Sequence, residues 1–462
     1  MIQMTLAQVA RAVGSHHESD VAVTGVSTDN RTVKEGDIFV AIQGDRVNGN
    51  DFAGQALAAG AVGVVTSDAD AAVASGADPS AVIGVTDVIS ALGDLARENL
   101  RLLRECGRRD FKVVAVTGSV GKTTTKDLLA AMCTHRGPVV APPGSFNNEL
   151  GMPLTVLRAD TETATLVCEM GADHIGNIEY LTSIAPPDVA IVLIVARAHL
   201  GEFGGIENVA KAKSELVTGT APGGVVVLNA DDPRVAAMAQ LAHTPVVTFS
   251  KAGHGDVMAS DIEVGADSRA TFTLSAGEEH ARVSLRLVGA HHVANALAAA
   301  SGALQLDVPF DQIVDVLNST GPASAHRMDV FEADSMTIID DSYNANPDSM
   351  RSGLDTLVQI GAGKRTVAVL GSMLELGQMS ESEHRNLGAY VAQRNIDVVV
   401  GVGEEMAPLV DELHTRGRTA MLTDAASAGS VLSTILSPGD VVLLKGSNGS
   451  RVWTIADAYK GK

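Results

Sequence analysis

Stacking surfaces are scarce in this chain: one Trp, four Tyr and nine Phe among 462 residues. Single-stranded nucleic acid is held by aromatic platforms along a basic groove, and this composition offers neither, since the formal net charge is −21. The same acidity excludes a duplex reader and a membrane-surface binder, both of which present basic faces. By itself it reads as solubility. Cysteine is equally rare. Cys106, Cys133 and Cys168 form no metal-ligand spacing and no even disulfide set, so a reducing compartment, the cytoplasm, is expected. No run approaches the ~20 apolar residues of a membrane span. Residues 1–14 lack a signal-like apolar core, and 6–13 read as a surface helix. Neither a nucleic-acid partner nor membrane insertion is expected.

What is present is ample core material, 45% hydrophobic residues, in a chain too long for one core. Strand and helix patterns alternate, which points to α/β domains with parallel sheets. The first segment, 1–109, has strand patterns at 21–29, 37–42, 62–66 and 82–85, then a helix over 88–106 that stops at the polar break Gly107-Arg-Arg-Asp110. The second, 110–320, has apolar strands at 113–117, 164–169, 189–195 and 225–229, a helix over 206–218 and another over 293–304. Residues 271–288 alternate apolar and polar, as a half-exposed antiparallel pair does. Gly321-Pro322 reads as a linker. The third, 321–462, returns to the parallel pattern with strands at 336–340, 366–370, 397–402 and 441–445.

The chemistry is concentrated where strand 113–117 meets the next helix. Thr117-Gly-Ser-Val-Gly-Lys-Thr-Thr124 is a short phosphate-binding loop. Its glycines turn backbone N–H groups inward, the helix N-terminus adds partial positive charge, Lys122 reaches outer phosphates and the Thr123 hydroxyl suits Mg2+. Two further strands end in reactive groups. The strand at 164–169 delivers Glu169, and the one at 189–195 runs into a loop bearing His199. If the three strands are neighbours, Thr123, Glu169 and His199 share one rim, because ligands of parallel sheets sit at strand C-terminal ends. A hydroxyl and a carboxylate fit Mg2+; an imidazole is a less natural partner for it. Lys211 and Lys213 lie two apart on helix 206–218, so at most one faces the cleft.

Elsewhere, strand 336–340 runs into Asp340-Asp-Ser-Tyr-Asn-Ala-Asn-Pro347, a cluster of donors and acceptors that would suit a polar substrate and equally forms an Asx-rich turn. Strand 441–445 delivers Lys445 to a glycine-rich turn. In the first segment, Ser27-Thr-Asp-Asn-Arg31 and the loop from Gly44 to Phe52 are polar, and Arg31 and Arg46 are of the kind that meets phosphates.

Taken in order, these motifs resemble the Mur ligases, the ATP-dependent amide ligases of peptidoglycan precursor synthesis, over nearly the whole chain. The carrying segments are the phosphate loop, Ser145-Phe-Asn-Asn-Glu-Leu-Gly-Met-Pro153, Glu169-Met-Gly-Ala172, Ala198-His199, Ala212-Lys-Ser-Glu-Leu216, Gly289-Ala-His-His-Val-Ala-Asn295 and Asp340–Pro347. The resemblance implies three α/β domains: a small N-terminal UDP-binding domain, a central phosphate-loop ATPase domain and a C-terminal Rossmann-like domain. It implies ATP and Mg2+ as cofactors. Thr117, Gly118, Ser119, Val120, Gly121, Lys122, Thr123, Thr124, Asn295, Arg327 and Asp341 would bind ATP. Thr123, Glu169, His199 and Lys213 would form the metal site. Lys213, now selected over Lys211, would be carbamoylated.

Ser27, Asp29, Arg31, Gly44, Arg46 and Asn50 would bind the UDP moiety. Tyr343, Asn344 and Asn346 would lie on the acceptor side. The segment 340–347 resembles the branch of the family that adds D-alanyl-D-alanine to UDP-N-acetylmuramoyl-tripeptide through an acyl phosphate, acting as a monomer. The competing readings are a ligase adding the third residue, a folylpolyglutamate-type ligase, a small-molecule kinase and a phosphate-loop regulatory module. The last leaves Glu169, His199 and Lys213 without a role.

Overall fold

The computed structural model describes residues 1–44, 47–196 and 203–461. Four sheets organise them. Strands Gly25–Ser27, Asp37–Val40, Gly63–Thr66 and Val82–Gly84 form a small parallel sheet in that order, beside an antiparallel pair, Met4–Thr5 with Ala22–Val23. The strand expected over 21–29 is therefore two short strands in different sheets. They part at Thr24-Gly25, where the chain packs so tightly on Asp37 that a Cβ on Gly25 would sit 2.1 Å from its carboxylate.

The central sheet has nine strands. Val139–Val140, Thr165–Glu169, Lys112–Thr117, Val189–Val192, Val225–Asn229, Val246–Ser250 and Val257–Val264 run parallel in that spatial order. Arg269–Ala276 and Glu279–Val288 then extend the edge antiparallel. The 271–288 hairpin is as its alternation predicts, whereas the strands at 246–250 and 257–264 are additional. Because side chains alternate across a sheet, Val113, Ala115, Leu166, Cys168, Ala190 and Val192 enter one core, and Val114, Val116, Val167, Val189 and Ile191 the other.

In the C-terminal part, Met336–Asp341, Val441–Lys445, Thr366–Gly371, Val398–Val402 and Ala420–Thr423 are parallel neighbours. Asp329–Ala333 is added antiparallel at the edge. That edge strand carries little apolar alternation (Asp329-Val-Phe-Glu-Ala), which is why it is not visible in the sequence pattern.

The helix Val88–Cys106 has a continuous buried stripe through Leu92, Leu95, Ala96, Leu100 and Leu103 and lies across the boundary at 109. It packs on the central helices Gly151–Val156 and Asn177–Ile184. Gly93 makes the approach possible, since a Cβ there would lie 2.3 Å from the Tyr180 hydroxyl. Asn99, fully buried, donates to the carbonyls of Val156 and Ala159 and accepts from the Ile2 N–H. One apolar core therefore runs from Met4 to Met238, while the C-terminal part has its own. Among the described residues no helix is long and apolar enough to cross a membrane.

Candidate functional site

The strands ending in Glu169, the phosphate loop and the 193–196 exit are adjacent, with Lys112–Thr117 in the middle. This is the arrangement that puts their C-terminal ends on one rim. The loop is fixed from both sides. Ser119 N–H donates to the Ile194 carbonyl at 2.8 Å, Ala196 N–H donates to the Ser119 hydroxyl at 3.0 Å, and Thr117 donates to the Met170 carbonyl at 2.7 Å. Asn229 and Asp232 hold the Leu193 carbonyl and the Val195 N–H. Gly121 sits at φ +85°, where L side chains are disfavoured, and its Cα faces the Asn295 amide. Lys122 folds back onto the Gly118 carbonyl at 2.9 Å. Burial, reinforced by the Arg327 charge, lowers its pKa against the pull of Glu169.

Around Thr123 the polar groups converge. Its hydroxyl lies 3.0 Å from Glu169 Oε2 and 2.9 Å from the Ser145 hydroxyl, while Asn147 donates to Glu169 Oε1 at 2.8 Å. Arg327, from beyond the linker, reaches the same two hydroxyls, at 3.2 Å to Thr123 and 3.0 Å to Ser145. Its guanidinium stacks 4.2 Å from the Tyr343 ring. Thr123 and Glu169 are 3% and 1% exposed. A buried hydroxyl facing a buried carboxylate is an all-oxygen donor pair, which fits Mg2+, an ion that completes its shell with water and phosphate oxygens. Among the described residues no three His, Cys, Asp or Glu side chains converge as a closed metal cage.

These groups line a cleft of about 630 Å3 between the central and C-terminal parts. Of the expected nucleotide residues, Ser119–Thr124, Asn295, Arg327 and Asp341 line it, as do the expected acceptor-side residues Tyr343, Asn344 and Asn346. Asp341 pairs with the buried Lys445, which also donates to the Asn344 carbonyl at 3.1 Å. Asn346 is the N-cap of the helix Pro347–Ile360: its side chain accepts from Ser349 N–H at 2.9 Å. The rings of His291 and His292 lie side by side in the cleft wall, centroids 4.1 Å apart and tilted by 44°. Burial pushes His291 down to about 4 and His292 well below its ordinary value. His292 bonds Asn295 through Nδ1 at 3.1 Å, and His291 reaches Ser352 at 3.0 Å across the domain boundary.

Lys213 and Lys211 separate as helix geometry requires. Lys213 is buried on Ile206–Thr218 with its ammonium 5.9 Å from the Phe203 ring; Lys211 is exposed. Burial, with the Lys122 charge next in importance, pushes Lys213 down to about 7. His199 and Arg46 lie outside the described residues.

Among the described residues, none of the first-segment loops borders the cleft. Arg31 projects into solvent, bidentate with Asp29. Ser27 donates to the Asp29 carbonyl, and Asn50, buried, takes the Thr66 hydroxyl bond at 2.5 Å. Three site residues were not assigned from sequence. Ser145 and Asn147 lie in the segment Ser145–Pro153, whose residue pattern alone assigns them no role. Lys126 was missed, although its position one helical turn after Lys122 was the available signal. It is buried and holds the Pro142 and Gly144 carbonyls at 2.9 and 3.2 Å, which positions Ser145.

Comparison with known proteins matches three family models in sequence: the Mur ligase family catalytic domain at residues 22–99, the Mur ligase middle domain at 116–303, and the Mur ligase glutamate ligase domain at 326–448. The UDP-N-acetylmuramoyl-tripeptide–D-alanyl-D-alanine ligase of Mycobacterium tuberculosis is 41% identical, with 99% of this chain and 98% of that one covered. Among solved structures, MurF from Acinetobacter baumannii superposes with a TM-score of 0.87 at 30% identity, covering 100% of this chain and 99% of that one. MurF ligase from Thermotoga maritima in complex with ADP gives 0.78 at 28% identity, covering 95% and 97%.

Proposed function

The chain belongs to the Mur ligase family, and from that premise we propose that it joins D-alanyl-D-alanine to UDP-N-acetylmuramoyl-tripeptide, using ATP, in peptidoglycan precursor synthesis. The observation that carries this reading is Arg327. It crosses from the third domain to within 3.2 Å of Thr123 on the phosphate loop, so the nucleotide motif and the Asp340–Pro347 segment serve one cleft. The domains are taken as 1–109 for the UDP-linked substrate, 110–320 for ATP, and 321–462 for closure and the acceptor. The enzyme acts as a cytoplasmic monomer.

A carboxylate and an amine do not condense unaided. The tripeptide's terminal carboxylate attacks the γ-phosphorus of ATP, ADP leaves, and an acyl phosphate forms. The neutral amine of the dipeptide then attacks the acyl carbon and orthophosphate leaves. Lys122 and the loop N–H groups stabilise charge on the transferring phosphoryl group. Arg327 adds a second positive group on the opposite wall. Thr123 and Glu169 would hold Mg2+, which neutralises phosphate charge when bound. Asn295 and Asp341 contact the nucleotide. Lys213, a buried amine held near neutrality, is suited to capture CO2 and become a carbamate, a carboxylate-like partner for His199 in the metal site. Tyr343, Asn344 and Asn346 line the acceptor side. Ser27, Asp29, Arg31, Gly44, Arg46 and Asn50 form the grip on UDP. Closure of the third domain over the loop excludes water from the acyl phosphate.

The test is orthophosphate release from ATP and Mg2+ with UDP-N-acetylmuramoyl-tripeptide, with and without D-alanyl-D-alanine. The expected result is release that needs both, with a UDP-pentapeptide by mass. Release with single amino acids and a UDP-dipeptide would move the chain to the preceding ligase of the family.

A further inference from the structure

Arg327 is bracketed by two non-glycine residues in the left-handed region, His326 at φ +60° and Met328 at φ +49°. Side-chain-bearing residues persist there only where the surroundings over-determine them, and such sites tend to carry function. What determines this one lies on the far side of the sheet. Asp340 and Asp341 are consecutive on one strand and point to opposite faces. Asp341 serves the cleft. Asp340, fully buried, receives the His326 Nδ1–H at 2.8 Å, the Lys460 ammonium at 2.9 Å and the Ser342 hydroxyl at 2.5 Å.

A buried carboxylate is tolerable only when paired and hydrogen-bonded, so these donors are held as firmly as the carboxylate is. Lys460 also bridges Asp329 at 2.9 Å, and His326 Nε2 lies 3.7 Å from Asp457. Both Asp457 and Lys460 belong to the helix Trp453–Lys460. The His326 carbonyl accepts from the Tyr343 N–H at 3.2 Å, and Tyr343 is the ring on which Arg327 stacks.

We propose that His326, clamped by Asp340 and backed by Lys460 and Asp457, is a positioning residue that aims Arg327 at Thr123 and Ser145, coupling the helix Trp453–Lys460 to the nucleotide site. This rests on the reading of Arg327 as a nucleotide-contacting residue. The clamp holds the left-handed turn, and the turn sets the direction in which the guanidinium leaves the strand. Losing the imidazole frees the backbone at 326–328 without removing any group that touches the nucleotide.

The experiment is calorimetric titration of the full-length protein with ATP and Mg2+, alongside separate KM values for ATP and the UDP-tripeptide, in His326→Gly, Lys460→Met, Arg327→Ala and the His326→Gly/Arg327→Ala pair. Glycine accepts the left-handed backbone freely, so this variant removes the clamp without adding strain. Lys460→Met, at a partly exposed position, removes one donor and leaves the turn's own residues unchanged. The expected results are at least fivefold weaker ATP binding in His326→Gly and a smaller loss in Lys460→Met. The KM for the UDP-tripeptide stays unchanged in both. Adding His326→Gly to Arg327→Ala costs no further affinity, because the clamp acts through the guanidinium. Wild-type ATP affinity in His326→Gly, or a loss that adds in full to that of Arg327→Ala, overturns the proposal alone. An Arg327→Ala protein that binds ATP as the wild type does overturns the nucleotide reading of Arg327 beneath it.

Discussion

Replacing Gly121 with Ala tests how tightly the phosphate loop is built. Two costs add. The backbone at φ +85° is left-handed, which costs a side-chain-bearing residue about 1–2 kcal/mol. The new Cβ would also stand 2.4 Å from Asn295 Oδ1, about 1 Å inside ordinary contact, and Asn295 is fixed to His292. The loop therefore moves by about that distance, and a misplacement of ~1 Å in a catalytic group costs roughly 10²-fold. Phosphate release should show kcat/KM falling about a hundredfold, or ~2.7 kcal/mol, with a modest drop in Tm. Gly363→Ala separates the two costs. Gly363 is also left-handed, at φ +78°, but a Cβ there meets nothing within 4 Å. That variant should lose ~1 kcal/mol of stability and keep its kcat/KM. A Gly121→Ala enzyme within threefold of wild type, or equal losses in the two variants, would refute the reasoning.

Lys213→Ala should abolish ligation while Lys211→Ala stays within about twofold, since only the first is buried; equal losses would sink the assignment. With Lys213 pushed down to about 7, ligation should climb as pH rises through about 7, and a profile flat from pH 6 to 8 would contradict this. Its folded pKa is below the unfolded value, so the stability it contributes is present above ~10.5 and is lost as pH falls toward 7. Glu169→Gln should raise the Mg2+ requirement and lower kcat by about 10²-fold, measured by metal titration of phosphate release. Burial pushes Cys133 and Cys168 up to about 12, whereas Cys106 is exposed. Ellman's reagent should therefore find one thiol in the native protein and three in denaturant.

Much of the fold was legible because buried parallel strands write themselves as apolar runs. The helix Val88–Cys106 and the strands Val225–Asn229 and Val441–Lys445 lie where their patterns place them. The strand Asp329–Ala333 was invisible because an antiparallel edge strand need not be apolar. At the site, local motifs gave the phosphate loop and Glu169, but not what holds them. Ser145, Asn147 and Lys126 acquire their meaning through contacts 16 to 22 residues away in sequence, and Ser145 also through Arg327, 182 residues away. The partnership of Arg327 with Thr123 spans 204 residues, a distance over which no periodicity informs.

The apolar stripe of the helix Val88–Cys106 has a consequence for the nascent chain. Its partner helices, Gly151–Val156 and Asn177–Ile184, and the rest of the shared core to Met238 are translated later. The helix Leu6–Ala12, already made, covers part of the stripe; at roughly 5–20 residues per second, the rest of the surface that Leu95, Leu100 and Leu103 pack on follows on the order of ten seconds later. The first 109 residues are thus not a unit of folding by themselves. Expressed alone they would present the rest of that stripe to solvent and self-associate, whereas the chain to about residue 240 closes the core before the third domain is made.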